Sequence, residues 1–204
     1  MKVKIYKLKR FLDLSMVIGG LIFPLLWPLW IVVILIIPLL IWIEDRGPIF
    51  YSQERIGKDK KIFRVYKFRT MIPNAESMTG AVWSTKDDPR ITRIGHLLRK
   101  TALDEIPQLL NIIKGEMSFV GPRAERPELH KKFIETLPEF DKRLDVTPGL
   151  SGLAQISGSY DLDPSQKIIY DLEYIEKMSL LFDIRIIVLS VFNSIFAKWD
   201  SPDN

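Results

Sequence analysis

The chain contains no cysteine. It therefore has no disulfide framework and no thiolate ligand for zinc, which suits a cytoplasmic setting. Histidine is nearly absent too: His96 and His130 are the two in 204 residues. Neither stands in a ligand motif, and both read as surface or structurally satisfied residues. No GxxxxGK[ST] or GxGxxG pattern occurs, which removes the P-loop and the dinucleotide fingerprint. No serine sits in a G-x-S-x-G elbow, although a triad assembled from distant positions stays open. Carboxylates and basic side chains remain as the chemical equipment.

Charge is missing from one long stretch. From Leu14 to Ile43, thirty consecutive residues carry none, whereas a membrane span needs about 20 apolar residues. A cleavable signal peptide has an apolar core of only about 7 to 15 residues and a small-residue cleavage site, and "IEDRG" offers none. Lys2, Lys4, Lys7, Lys9 and Arg10 precede the run and hold the N-terminus on the cytoplasmic side. Pro24, Pro28 and Pro38 interrupt it, each removing a backbone donor. A straight span would export everything after Ile43, so the favoured reading is a re-entrant hairpin broken at Pro24 or Pro28 that returns on the side it entered.

Beyond this segment, Pro48 to Glu54 and Lys61 to Phe68 read as the strands of a β-hairpin around a turn containing Gly57 and Asp59. Residues Ile72 to Arg90 show no period, as in a functional or mobile loop. Ile91, Ile94, Leu97 and Leu98 share a helical face, with Arg99 off it. Ile106, Leu109, Leu110 and Ile113 repeat the spacing in a segment that Gly115 ends. "MSFVGPR" predicts a short buried strand and "VTPGLSGLAQISG" a structured loop. Pro164 starts a helix carrying Ile168, Ile169, Leu172 and Ile175. A last helix runs from about Leu181 to Trp199, either a buried core helix or one resting on lipid headgroups.

Within "TALDEIPQLLN", Asp104 and Glu105 precede Pro107, which is tolerated only in a first helical turn. Thr101 with Asp104 resembles a capping box, and acidic residues at a helix start stabilise it by roughly 0.3 to 1 kcal/mol. The same position supplies free N–H groups for a phosphate, and an ionised aspartate is a competent nucleophile toward phosphorus. Lys67, Arg69, Arg99, Arg123 and Arg126 concentrate in probable strand ends and turns. Taken together, they would suit a diphosphate.

The motifs "KRFLD", "GPIFYSQERIG", "YKFRTM", "LRKTALDEIPQLLNIIKGEMSFVGPR", "TPGLSGLAQISG" and "YDLEYI", with the proline-broken apolar segment, occur in an order that resembles the bacterial small monotopic phosphoglycosyl transferases. The resemblance runs from about Lys9 to Ala197. It implies an α+β fold with an N-terminal re-entrant membrane helix hairpin, a small β-hairpin or sheet packed with several helices, and amphipathic interfacial helices. Residues 1–46 would be the basic N-terminus and membrane helix, and 47–204 a catalytic domain on the cytoplasmic face of the bacterial inner membrane. It further implies transfer of a sugar-1-phosphate from a UDP-sugar to polyprenyl (undecaprenyl) phosphate, with release of UMP. This would be the first membrane step toward a capsule, exopolysaccharide, O-antigen or protein glycan.

On the same resemblance Asp104 is the nucleophile, forming an aspartyl phosphosugar, and Glu105 its partner. Mg²⁺ is held by Asp104 and Glu105, while Lys67, Arg99 and Arg123, with Arg69, Arg126 and Gln155, contact the substrate. The absence of a long N-terminal domain is expected for the minimal form. Ala124, Thr147 and Ser159 depart from the commoner family pattern, which leaves the sugar open. The partners expected are the UDP-sugar, the polyprenyl phosphate and membrane lipids; a homo-oligomer is compatible with the sequence. A membrane-anchored scaffold is the alternative from another class. Nucleic acid is not expected, because a net charge of +4 beside a membrane segment is met by anionic lipid.

Overall fold

A computed structural model describes residues 6, 8–77, 88–158 and 162–196. Lys2, Lys4 and Lys7, most of the Ile72 to Arg90 loop, Ser159 and the end of the last helix at Trp199 lie outside the described residues. Helices dominate, together with two small two-stranded sheets, so the chain is of mixed α and β type.

Helix α1, Lys9–Ile22, ends where Phe23 turns extended before Pro24. Pro24 has no N–H to give the Gly20 carbonyl four residues back. The Trp30 indole fills that place, donating to Gly20 O at 2.8 Å from the next helical limb. The following helix is continuous from Pro24 to Asp45, 22 residues with mean hydropathy 2.7, long and apolar enough to cross a membrane. We divide it into α2, Trp27–Ile31, a π-turn at Val32–Ile36, and α3, Ile37–Asp45. The π-turn lies ahead of Pro38, where another backbone donor is missing, and the Ile37 N–H reaches back to Val32 O. Of the three prolines, Pro24 marks the break, while Pro28 and Pro38 lie inside the continuous helix.

Both limbs rest on the remainder of the chain. Val17 of α1 packs with Phe63, Val65, Ile112 and Met117, and Val33, Ile37 and Ile41 pack with Phe68 and Leu98. Between these footholds, Leu25, Trp27 and Ile31 are exposed.

Strands β1, Phe50–Ile56, and β2, Ile62–Phe68, form the expected antiparallel hairpin, with Phe50 opposite Phe68 and Tyr51 opposite Lys67. A three-residue turn with Asp59 and Lys60 at positive φ joins them. Asn111 seals the outer edge of β2, accepting from Tyr66 N at 3.2 Å and donating to Arg64 O at 2.7 Å. Helix α4, Arg93–Thr101, is capped by Thr92 and by Glu44 of the apolar helix, which accepts from the Arg93 and Ile94 amides. Leu98 is buried, but Leu97 is exposed, so the expected apolar face of α4 is narrower than the sequence spacing implied. Gly95 lets α4 sit directly on the strand end: a Cβ there would lie 2.1 Å from Thr70 O. Gly95→Ala is expected to cost roughly 1 to 3 kcal/mol through this overpacking, read as a lowered melting temperature.

After α4, a 3₁₀ turn at Leu103–Gln108 leads to α5, Leu109–Lys114, which ends at Gly115 in the left-handed conformation. Strand β3, Ser118–Val120, pairs in parallel with β4, Gly149–Ser151. Thus "MSFVGPR" is the expected strand, whereas the expected loop after "VTP" contains a strand and α7, Leu153–Ser157. Helix α6, Pro127–Thr136, and the 3₁₀ segment Pro138–Asp145 lie between the two strands in sequence. Helix α8, Pro164–Lys177, opens with an Asp163/Gln166 capping box, and α9, Leu180–Ile195, follows. Val120, Val146, Leu153, Tyr174, Ile175, Met178 and Ile186 form the core here, each apolar side chain contributing roughly 1.5 to 3 kcal/mol. The buried-core reading of the last helix is not met. Asp183, Ile186 and Asn193 face inward, while Leu181, Val188, Val191 and Ile195 are exposed.

Candidate active site

Asp104 and Glu105 stand at the first turn of the 3₁₀ segment, entered through Ala102 in the left-handed conformation (φ 56°). The expected capping box is not formed: Thr101 is the last residue of α4, and its hydroxyl donates back to Leu97 O and Leu98 O. Nor is the helix dipole an adequate source of positive potential, since the 3₁₀ segment and α5 have six residues each. The potential comes instead from side chains on three other elements.

Lys67, at the end of β2, lies 2.5 Å from Glu105 Oε1 and 3.8 Å from Asp104 Oδ2. Arg123, after β3, binds Glu105 through both terminal nitrogens. Arg99 projects from α4 and donates Nε to Thr70 Oγ1 at 2.9 Å, near enough for its charge to act on Asp104. The dyad members therefore differ. Burial works to raise the Glu105 pKa, but Arg123 and Lys67 overcome it and hold Glu105 well below the usual carboxylate range. Asp104 is 6% exposed, and among the described residues no side chain donates a hydrogen bond to it. Burial, with the Glu105 charge beside it, pushes its pKa up to about 6 against the pull of Lys67, Arg99 and Arg123.

The Arg123 loop is pinned along its length. Pro122 O accepts from Gly149 N at 3.0 Å, Arg123 O from Arg143 at 2.9 Å, Ala124 O from Arg55 at 3.1 Å and Glu125 O from Ile56 N at 2.9 Å. Arg143 is itself buried, 2.7 Å from Asp171 and over the Phe140 ring. Such support lets one exposed arginine hold a fixed place beside the dyad. Neither Arg55 nor Arg143 was nominated by the sequence. Arg55 lies inside "GPIFYSQERIG" and was open to nomination; Arg143, in "FDKRLDV", carries no such signal.

Lys67, Arg99 and Arg123 thus gather at the dyad. Arg69 and Arg126 are engaged elsewhere in this structure: Arg69 forks onto Asp45 at the end of the apolar helix, and Arg126 onto Glu76, with both bonds 2.9 Å. Gln155 Nε2 donates to Leu150 O at 3.3 Å, the carbonyl that Arg123 also approaches. His130 is buried with Asp141 3.2 Å from its Nε2, and its expected structural role fits. Among the described residues no group of three or more His, Cys, Asp or Glu is placed to hold a metal by itself. Two carboxylates suit Mg²⁺ nonetheless, because that ion keeps several waters and shares its shell with substrate phosphates.

The family described as bacterial sugar transferase matches residues 4–197. The chain is similar to the galactosyl transferase CpsE of Streptococcus agalactiae serotype III (strain NEM316), 40% identical over 194 residues, which is 90% of this chain and 41% of that protein. It is also similar to the UDP-glucose:undecaprenyl-phosphate glucose-1-phosphate transferase of Escherichia coli (strain K12), 37% identical over 198 residues, 94% of this chain and 41% of that one. The UDP-N-acetylgalactosamine-undecaprenyl-phosphate N-acetylgalactosaminephosphotransferase of Aeromonas hydrophila is 38% identical over 167 residues, 80% of this chain and 39% of its own. The chain spans about two fifths of the length of each. Both the extent of the family match and the identity to these relatives lead to one assignment: the chain belongs to the bacterial sugar transferase family.

Proposed function

We propose that this chain transfers a sugar-1-phosphate from a UDP-sugar to a membrane polyprenyl phosphate and releases UMP. The observation that carries this reading is the division of labour in the dyad. Glu105 is tied down by two cations, while the buried Asp104 carboxylate beside it keeps its oxygens free of described hydrogen-bond donors.

An Asp104 oxygen attacks the phosphorus that bears the sugar. A bond from that oxygen to the phosphorus forms, the bond between the same phosphorus and the bridging oxygen breaks, and UMP departs with the bridging oxygen and the electron pair. A phosphate oxygen of the acceptor then attacks the same phosphorus. This breaks the bond to Asp104, restores the carboxylate and leaves a polyprenyl diphosphate sugar. Lys67, Arg99 and Arg123 bind the diphosphate oxygens, and Glu105 keeps Lys67 and Arg123 oriented toward them. Mg²⁺ held by Asp104 and Glu105 with the substrate phosphates would supply charge neutralisation of the diphosphate and of UMP.

Membrane placement belongs to the same reading. Residues 1–46 carry a re-entrant hairpin and 47–204 the catalytic domain, on the cytoplasmic face of the inner membrane where UDP-sugars are found. Support comes from the two footholds of the apolar segment on the same body of protein. A straight helix from Leu14 to Ile43 would separate its ends by about 45 Å at 1.5 Å per residue. The exposed apolar stripe of α9 suits a helix lying in the headgroup layer. The names of two relatives give undecaprenyl phosphate as acceptor, with UDP-glucose or UDP-N-acetylgalactosamine as donor, and a third is named a galactosyl transferase.

The test is a UMP-release assay with undecaprenyl phosphate and a panel of UDP-glucose, UDP-galactose and UDP-N-acetylgalactosamine, with sugar-labelled donor used to trap the intermediate. One donor is expected to yield UMP, lipid-linked product and, without acceptor, label covalently bound to the protein. No UMP from any of them, with or without Mg²⁺, would overturn the reading for this donor class.

A further inference from the structure

The two faces of the β1–β2 hairpin meet different partners. Side chains alternate along a strand. Tyr51, Arg55, Val65 and Lys67 therefore share the face that Lys67 turns toward the dyad, while Phe50, Ser52, Tyr66 and Phe68 share the other. At one end this second face is covered by the apolar helix, where Phe68 is buried against Ile37 and Ile41. Phe50 stacks on Phe68, with ring centroids 5.4 Å apart, and is itself 58% exposed. Beyond it the cover ends, and a groove of about 370 Å³ opens, lined by Phe50, Tyr51, Ser52, Tyr66, Pro107 and Leu110.

No charged side chain lines this groove, and the nearest cation placed against its wall, Lys114, is engaged with the Tyr66 hydroxyl at 3.1 Å and the Tyr66 ring. The groove begins at the surface on which the membrane-type helix rests. It ends at Pro107, two residues past Glu105 on the same 3₁₀ turn. Leu110 is 53% exposed in its wall. The volume falls in the range of small-ligand sites, roughly 300 to 1,000 Å³.

From this continuity between the apolar helix and the dyad turn we infer that the groove seats the isoprenoid units of the acceptor next to its phosphate. The inference rests on the reading of polyprenyl phosphate as acceptor. It assigns the anionic donor to the Lys67 side of the dyad and the lipid to the groove, whose lining joins Tyr51 of the Lys67 face to Phe50, Ser52 and Tyr66 of the other. An apolar chain led along this groove brings its terminal phosphate to the turn that carries Asp104, which limits the search of a long flexible lipid at the membrane surface.

The experiment uses the full chain in nanodiscs, with undecaprenyl phosphate as the probe and the donor that the wild type consumes. Leu110→Glu places a charge in the groove wall, and Ser52→Trp fills the groove from the strand side. Each is expected to raise the KM for undecaprenyl phosphate at least about tenfold, the scale on which apolar pockets discriminate. Each should leave the acceptor-independent burst of UMP at the wild-type amplitude. If Leu110→Glu does not fold, Ser52→Trp carries the test alone. Unchanged acceptor KM in the folded variants, or a lost burst with unchanged acceptor KM, overturns the groove. A wild type that shows no burst and no turnover overturns the underlying function instead, so the two failures are distinct.

Discussion

Asp104→Asn is expected to abolish turnover and at the same time raise the melting temperature. Asparagine cannot form the acyl-phosphate bond, and loss of a nucleophile lowers kcat by at least about 10³-fold. The stability gain follows from linkage. Burial and the Glu105 charge raise the pKa of Asp104 from 3.8 to about 6 in the folded chain. The folded state therefore binds this proton more tightly than the unfolded state does. The group supports folding below its unfolded pKa, and that support is lost as pH rises through about 6, so at pH 7.5 an ionised Asp104 is a burden. A tenfold change in proton affinity corresponds to about 1.4 kcal/mol, and replacement by a neutral isostere is expected to recover roughly 1 to 3 kcal/mol.

Thermal melts of both proteins at pH 7.5 and pH 5 check this. The variant should melt higher at pH 7.5, and the gap should narrow at pH 5. Equal melting temperatures at both pH values would contradict the electrostatic account, and retained activity would remove Asp104 from the nucleophile role. The raised pKa also sets an acid limb for the wild type: kcat/KM should fall about tenfold per pH unit below about 6, as Asp104 takes up its proton.

Asp183→Ala is expected to be among the most destabilising single changes in the chain. Its carboxylate, 1% exposed, accepts from Lys9 Nζ at 2.6 Å, Tyr6 OH at 2.5 Å and Tyr174 OH at 2.8 Å. Lys9, at the base of α1, is 6% exposed. Without Asp183 its ammonium stays buried with the Tyr174 hydroxyl, 3.0 Å away, as hydrogen-bond partner and only the charge of the buried Asp13, itself committed to Ser118 and the Phe119 amide, nearby. Breaking a buried pair in this way costs roughly 3 to 5 kcal/mol, a large part of a typical folding free energy of about 5 to 15 kcal/mol. Removing both charges together, as in Lys9→Met with Asp183→Leu, is expected to restore much of the loss, because the desolvation cost of the pair disappears as well. Chemical denaturation of the two variants in the same detergent checks the claim. A double variant no more stable than Asp183→Ala would show that the network acts through geometry rather than charge.

This network also corrects the reading of the basic N-terminal residues. Lys9 and Arg10 count in the sequence as charges facing the cytoplasmic surface. In the fold Lys9 is buried against Asp183, and Arg10 donates to Ile112 O and Ile113 O at the end of α5. Type and position in the chain are the same for a lysine that meets lipid and one that meets an aspartate 174 residues away. Only packing separates them.

Local chemistry by itself determined a good deal about this protein. Thirty uncharged residues with prolines among them specified an apolar helix with a break. Alternating strands about Gly57 specified the hairpin, and Gly115 the end of α5. An acidic pair ahead of Pro107 marked the turn on which Lys67 and Arg123 converge. Each of these signals depends on neighbours within a few residues, which is the range over which periodicity and turn propensity act. Tertiary structure decided the rest. It placed the break at Pro24 through the Trp30 indole, engaged Arg69 and Arg126 with Asp45 and Glu76, and brought Lys67, Arg99 and Arg123 from three separate elements to one pair of carboxylates. It also made the two acids unlike. Burial and charge fall off over a few ångströms in space rather than along the chain, so the tethered Glu105 and the raised Asp104, adjacent in sequence, acquire opposite properties only once the fold surrounds them.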